Sequence, residues 1–237
     1  GWHPGGNVTL DYTLKYDMHQ LIVSAMYNNF QWNQEQDYIQ TEEGRDTTHQ
    51  LQNNYSHNQH IEIKADYEWK PTQQSRLEAG YNYSRTWGTN NSVAYNMFAD
   101  AQTELYTYYA QFDNIVQNHA LYVTYGNRFW DKLSIQVGLR GEYYMRHLES
   151  YYKDNNGTVQ DSYAANPSKQ DTAYFQLFPS AYISYDFGNG HELQLNYTRR
   201  INRPWGNQIN PRIDFSDSTN ISYGNVDLLP AYSSNLE

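Results

Sequence analysis

Residues 133–143 read LSIQVGLRGEY, in which Leu133, Ile135, Val137 and Leu139 alternate with mostly polar residues. Successive side chains of a β-strand point to opposite faces of the sheet, so this stretch predicts a strand with one apolar and one polar face. The same alternation recurs in residues 61–69 (IEIKADYEW) and 8–16, and in several shorter stretches. Helical periodicity is nearly absent. The sequence therefore predicts an all-β protein.

The connections between these stretches alternate in length. Short breaks fall near residues 17–20, 70–75, 129–132 and 188–191, whereas long polar stretches cover residues 39–53, 88–117, 149–172 and 203–231. Antiparallel up-and-down strands show this pattern when the tight turns lie on one rim and the long loops on the other, as in outer-membrane β-barrels. We therefore predict a segment of an antiparallel up-and-down transmembrane β-barrel.

The aromatic residues support a barrel. Aromatics make up 16% of the chain, and 25 of them are tyrosine. One group lies beside the short breaks and another toward the long stretches, which is typical of the two aromatic girdles at the membrane interfaces. The first group is Tyr16, Trp69, Phe129, Trp130 and Phe187, and the second is Trp32, Trp87 and Tyr143. The alternative is a soluble β-sandwich with aromatic cross-strand pairs.

Composition excludes several classes of function. The chain has 16 Lys and Arg against 26 Asp and Glu, a formal net charge of −10, which argues against nucleic acid as a partner. It has no cysteine, so disulfides, thiolate metal sites and cysteine nucleophiles are excluded. No apolar run approaches the ~18 residues of a membrane helix.

Residues 175–237 carry a resemblance to a known family. The pieces that match are LFPSAYISYDF (177–187), LQLNYTRRINRP (193–204) and SYGNVDLLPAYSSNLE (222–237). They resemble the β-barrel of TonB-dependent outer-membrane receptors, within the outer-membrane protein β-barrel family. In the last piece Val226 stands where the family usually has proline and Ala231 where it has an acidic residue, so we expect a looser corner there.

The resemblance implies a fold, a location and a function. Residues 1–237 are expected to form about eight strands, and the start of a ninth, of a barrel of about 22 strands in the outer membrane. The two terminal strands are then expected to be free edges of an open sheet. The implied function is TonB-coupled uptake of a bulky nutrient, which is a glycan, a peptide or a siderophore.

The resemblance also implies partners. They are outer-membrane lipid including lipopolysaccharide, the remaining barrel and its plug, the TonB complex and a possible surface lipoprotein. The plug and the segment that contacts TonB are expected to lie outside this chain. No cofactor and no nucleic acid are expected.

Three groups of residues are candidates for sites. Alternation places six charged residues in the lumen, where they line the interior or only form cross-strand pairs that fix the register: Glu62, Lys64, Asp66, Arg140, Glu142 and Arg200. Five aromatics of the stretch 88–117 are predicted to bind ligand from a loop, or else to pack on one another: Tyr95, Phe98, Tyr106, Tyr108 and Tyr109. Arg85 and Arg199 share the parity of the apolar residues near the outer interface, where they are predicted to bind lipid phosphate or simply to snorkel.

Catalysis and metal binding lack support. No nucleophile elbow, zinc-protease helix or phosphate loop is present, and Ser184 with His191 is a candidate pair by residue type alone. His57 and His60 are three residues apart, which puts them on opposite faces of a strand. We therefore expect neither an enzyme nor a metal site. The alternatives to a receptor are a non-transporting surface adhesin, a soluble lectin-like β protein and, less favoured, a barrel enzyme.

Overall fold

A computed structural model describes residues 5–41, 48–97, 104–154, 159–160, 169–211 and 222–237, nearly all of them in one antiparallel sheet. The strands are β1 Gly5–Tyr16, β2 His19–Gln40, β3 Thr48–Trp69, β4 Ser75–Met97, β5 Glu104–Phe129, β6 Leu133–Asp154, β7 Val159–Gln160, β8 Lys169–Gly188, β9 His191–Asn202 and β10 Ala231–Leu236. One short 3-10 helix, Gly206–Gln208, follows β9. Within the described ranges no helix is long and apolar enough to cross a membrane.

The sheet has up-and-down topology. Each long strand pairs with the next one along the chain, and the two-residue strand β7 pairs with β6 beside the main path. Among the described residues, β1 pairs only with β2 and β10 only with β9, so the sheet is open and has two edges. The predicted fold class is confirmed: eight long strands are followed by the beginning of a further one.

The register confirms the predicted faces. Directly opposed residues of an antiparallel pair share a face, and the apolar residues of neighbouring strands oppose one another. The pairs that show this are Ile63–Tyr83, Tyr81–Leu121, Tyr125–Val137, Ile135–Ile183 and Ile183–Leu195. We call this the apolar face and the opposite one, which carries Glu62, Lys64 and Arg140, the polar face.

The apolar face is uncovered in the structure. Leu121 is 67% exposed and Leu193 63% exposed, and Leu10, Val137 and Phe175 are exposed as well. A continuous apolar band across a whole sheet is far larger than the patches that water-soluble monomers expose. The band therefore requires a non-aqueous environment, which disfavours the soluble alternatives.

The four short connections are tight turns, as predicted. Three of them use left-handed backbone, with φ of 51° at Asp17, 56° at Asp131 and 54° at Asn189. Asp and Asn tolerate this conformation better than other non-glycine residues. Next to the last turn, the Asp186 carboxylate accepts a hydrogen bond of 2.7 Å from the Gly188 backbone N–H.

The long connections predicted at residues 39–53, 88–117 and 149–172 are shorter than predicted, because the strands continue into them, whereas the described residues of 203–230 lie outside the strands, as predicted. β4 runs to Met97 and β5 begins at Glu104, so most of the stretch 88–117 is paired sheet. These segments mix polar, aromatic and aliphatic residues and lack the regular alternation that identifies a strand, whereas their backbone groups still pair with their neighbours. At ~3.4 Å per residue and ~40° tilt, 22-residue β3 spans about 57 Å against an apolar band of about 25 Å. The long strands therefore extend well beyond the membrane.

Candidate functional site

The polar face carries a dense set of charges close to the short turns. We call Lys64, Asp66, Glu68, Arg76 and Glu78, on β3 and β4, the charged zone. Lys64 Nζ lies 2.8 Å from Asp66 Oδ2, and an Arg76 guanidinium nitrogen lies 2.6 Å from Glu68 Oε2. Residues two apart on a strand share a face, so each ion forms its pair with a near neighbour.

A cavity of about 490 Å³ opens beside the charged zone. Its lining also includes Tyr122 from β5 and Ile22 from β2. Gly80 makes room for the Tyr122 and Asp66 side chains, because a Cβ there would lie 2.4 Å from the Tyr122 hydroxyl oxygen and 2.8 Å from Asp66 Oδ1. Within the described part of the chain, this buried Asp66 oxygen has no hydrogen-bond partner. The cavity is thus bordered by charged side chains that largely pair with one another.

Further from the short turns, the β9–β10 connection folds onto the polar face of β5, β6 and β8. We call its described residues, 203–211 and 222–230, the strap. Ile209 (1% exposed) and Val226 (5%) from the strap form one buried cluster with Phe112 of β5 and Leu148 of β6. The strap residues of the predicted long connection 203–231 do lie between two strands, as predicted, and in addition they bury apolar side chains against the sheet.

Arg203 is the main polar contact of the strap. Its guanidinium lies 2.7 Å from Glu142 Oε2, donates a 3.0 Å hydrogen bond to the Tyr174 hydroxyl, and stacks 4.6 Å above the centre of the Tyr144 ring. Burial disfavours the charged form of Arg203, but the bonds to Glu142 and Tyr174 outweigh it and raise its pKa above the usual arginine value. This cation therefore stays charged under all physiological conditions.

Further hydrogen bonds hold the strap in place. An Arg146 guanidinium nitrogen donates to the Val226 carbonyl at 3.1 Å, and Gln170 Nε2 donates to Asp227 Oδ1 at 2.9 Å. The two described parts of the strap also bond to each other, from the Asn225 N–H to the Gln208 carbonyl at 2.7 Å. The strap is thus a structured cover over one part of the polar face.

The six charged residues predicted for the lumen all lie on the polar face, and most have close partners. Asn82 donates to Glu62 at 2.5 Å, and Arg140 Nε lies 2.6 Å from Glu142 Oε1. Arg200 is exposed, opposite Ser233 of β10, and forms no ion pair among the described residues. The sequence did not identify Arg203 or Tyr174, because their contacts with Glu142 and Tyr144 join residues far apart in the chain.

Arg85 and Arg199 lie on the apolar face, each beside an aromatic ring. Arg85 Cζ is 5.4 Å from the centre of the Trp87 ring, and Arg199 Cζ is 5.3 Å from that of Tyr232 on β10. Arg85 Nε is buried and has no hydrogen-bond partner within the described ranges. Both guanidinium groups lie on the face that is predicted to meet lipid, and phosphate binding remains a prediction.

The aromatic residues predicted to bind ligand from a loop lie elsewhere. Tyr95 belongs to β4, and Tyr106, Tyr108 and Tyr109 belong to β5, where Tyr95 pairs with Tyr106 across the ladder. Their placement in a loop is wrong, for the same reason as the loop boundaries. Phe98 lies outside the described residues.

Neither the catalytic nor the metal candidates come together. Ser184 lies on the polar face and donates a short hydrogen bond to Glu192, while His191 lies at the β8–β9 turn. His57 and His60 lie on opposite faces, and each binds an uncharged side chain, Asn29 and Thr86 respectively. Across the described ranges, no three His, Asp or Glu side chains are grouped closely enough to hold a metal ion.

Comparisons with known proteins agree with this architecture. The fold matches the ferric yersiniabactin uptake receptor FyuA from Yersinia pestis with a TM-score of 0.61 at 10% identity, covering 84% of this chain and 28% of the receptor. It matches the unliganded ferric citrate transporter FecA with a TM-score of 0.50 at 15% identity, again over 84% of this chain and 28% of the transporter. No curated protein shows significant sequence similarity to the chain. The family model of the outer membrane protein beta-barrel family matches residues 12–237, and the chain therefore belongs to that family and to the outer membrane.

Proposed function

We propose that this chain forms part of the barrel of an outer-membrane receptor that takes up a bulky nutrient by coupling to TonB. The observation that carries the proposal is the contrast between the two faces of one open sheet. The apolar face is bare across all the long strands, whereas the polar face carries ion pairs, a cavity and a strap. A sheet with a polar interior and an apolar exterior is what a water-filled or plugged barrel requires.

The free edges support a larger barrel. All residues of β1 and of β10 are exposed, and each of these strands offers an unpaired row of backbone groups. A bilayer does not tolerate such rows, so further strands must pair with them. The proposal assigns those strands, the plug and the TonB contact to regions outside this chain, whose match covers only 28% of each structural relative.

Uptake in cells tests the proposal. The full-length gene product is expressed in the outer membrane of strains with and without TonB, and accumulation of labelled maltoheptaose, tetra-alanine and ferric citrate is measured. We expect one of these classes to accumulate only when both the receptor and TonB are present. Equal accumulation without TonB, or accumulation of none of them above the strain that lacks the receptor, would reject energy-coupled uptake.

A further inference from the structure

We infer that the solute is an uncharged oligosaccharide and that it binds to the polar face of β2, β3 and β4 beyond the membrane. The inference rests on the proposed uptake function and names its substrate class. We call the polar-face residues within 30–38, 52–58 and 88–92, which are every second residue of these segments, the amide wall. It consists of Asn, Gln, Ser, Gly and aromatic residues, and it carries no Asp, Glu, Lys, Arg or His.

The absence of charge is specific to the amide wall. On the opposite face of β2, at the same height, Glu35 and Asp37 are exposed. On the same face of β3, nearer the short turns, His60 and then the charged residues Glu62, Lys64 and Asp66 follow at every second position. The same strands therefore carry charges below the amide wall and behind it, so its neutrality does not follow from a general lack of charged residues.

The centre of the amide wall combines rings with amides. Trp32 is opposite Ser56, and Phe30, which is 48% exposed, is opposite Asn58. Asn58 Nδ2 donates a 2.9 Å hydrogen bond to Ser56 Oγ, which fixes the amide beside the two rings. Gly88 on the next strand leaves the space for it, because a Cβ there would lie 2.3 Å from Asn58 Oδ1.

This chemistry suits a sugar. A sugar hydroxyl both donates and accepts hydrogen bonds, and an Asn or Gln side chain offers both functions without a net charge. The apolar C–H face of a sugar ring is covered by an aromatic ring, which buries a large area at little entropic cost. Phe30 and Trp32 thus provide the apolar contacts and Asn58 the polar ones.

Anionic and ferric ligands lack a partner on the amide wall. Carboxylate and phosphate groups are bound most strongly by Arg and Lys through charge-assisted hydrogen bonds. The nearest such residues on the polar face are already engaged, Lys64 with Asp66 and Arg146 with the Val226 carbonyl of the strap. The amide wall likewise offers no charged side chain to pair with the charged termini of a peptide.

The strap also determines which part of the polar face is free. Beyond Glu142, the polar-face residues of β6 are buried up to Ser150, beneath the strap. At the centre of the amide wall Phe30, Trp32 and Asn58 are partly or fully exposed, whereas Gln52 and Ser92, further from the short turns, are buried. The open surface beyond the membrane is therefore the neutral one.

Binding to the full-length receptor in detergent tests the inference. Affinities for uncharged probes (maltoheptaose, xylohexaose, mannohexaose) are compared with those for trigalacturonate, ferric citrate and tetra-alanine. The variant Trp32→Ala removes a ring of the amide wall, and Trp87→Ala is the matched control, because Trp87 lies on the apolar face of the same sheet. We expect at least one uncharged probe to bind, with an affinity about tenfold or more weaker in Trp32→Ala and unchanged in Trp87→Ala.

The possible outcomes separate this inference from the proposed function. Preferential binding of an anionic probe, no binding of any uncharged probe, or equal affinity in Trp32→Ala and wild type would overturn the inference. TonB-dependent uptake of ferric citrate would retain the proposed function while rejecting the substrate class. Binding of an uncharged probe at Trp32 without TonB-dependent uptake would retain the surface and reject uptake.

Discussion

Replacing Arg203 by methionine is expected to release the strap from the sheet. The substitution keeps much of the apolar stem and removes the cation. It thereby removes the 2.7 Å ion pair with Glu142, the 3.0 Å hydrogen bond to Tyr174 and the stacking on Tyr144. The Glu142 carboxylate, only 9% exposed, keeps a single cationic partner, Arg140.

The size of the effect follows from this remaining partner. Removing one member of a buried ion pair costs about 3–5 kcal/mol when the other charge is left alone. Since Arg140 still neutralises Glu142, we expect about 2–3 kcal/mol for Arg203→Met. The equilibrium for opening of the strap would then shift by roughly 30- to 150-fold.

Hydrogen exchange measures this opening directly. The backbone N–H groups of Gly224 and Asn225 bond to strap carbonyls at 2.8 and 2.7 Å, so they exchange only when the strap opens. Both amides are expected to exchange about 30- to 150-fold faster in Arg203→Met, while the amides of β5 and β6 keep their rates. Arg200→Met is the control, because Arg200 is exposed and carries the same charge. A change below threefold in Arg203→Met, or equal acceleration in the control, would refute the role of Arg203.

Three further predictions concern the two faces and the strap. Arg85→Ala and Arg199→Ala are expected to lower the lipopolysaccharide retained by the purified receptor, measured by mass spectrometry, without changing solute affinity; unchanged lipid in both variants would contradict phosphate binding. Val123→Arg on the apolar face, near mid-membrane, is expected to cost about 2–4 kcal/mol in unfolding from lipid vesicles, whereas Thr124→Arg on the polar face costs far less; equal costs would contradict the assignment of the faces. Ile209→Ala is expected to weaken the strap by about 2–4 kcal/mol and to accelerate its amide exchange without lowering the melting temperature of the barrel, and a lowered melting temperature would contradict independent opening of the strap.

The membrane-spanning part of the sheet was predictable because a single physical rule governs it. Residues such as Ile63, Val137 and Leu195 must all face lipid, so their spacing alone gives the strand direction and the face. The turns could be predicted as well, since Asp and Asn, which occupy positions 17 and 189, tolerate left-handed backbone. Beyond the membrane no such rule applies, because neither face of a strand meets lipid, and side chains there contact water, polar groups or, as Phe112 does, the strap. The pairing of Tyr95 with Tyr106 could therefore not be predicted from the sequence pattern.

The strap could not be predicted from the sequence, for a different reason. Arg203 and Glu142 are 61 residues apart, and Arg146 and Val226 are 80 residues apart. Contacts over such separations leave no periodic pattern in the sequence. A single apolar residue in a polar stretch, such as Ile209, does not indicate burial either. Only the closure of β6, β8 and β9 into one sheet brings these residues together.

The three arginines of residues 199–203 are close in the sequence, but the strand geometry places them in different surroundings. Arg199 lies on the apolar face beside Tyr232, Arg200 is exposed on the polar face, and Arg203 lies beyond the end of β9 and is bonded to Glu142. Neighbouring residues of a strand point in opposite directions, so the charges of Arg199 and Arg200 act on different surroundings and do not sum. The third charge is neutralised by a buried carboxylate. A polyanion such as nucleic acid would need several free cations on one surface, and this segment presents one on each face at most. The density of basic residues in the sequence therefore reflects three different surroundings near the end of β9, and not one binding surface.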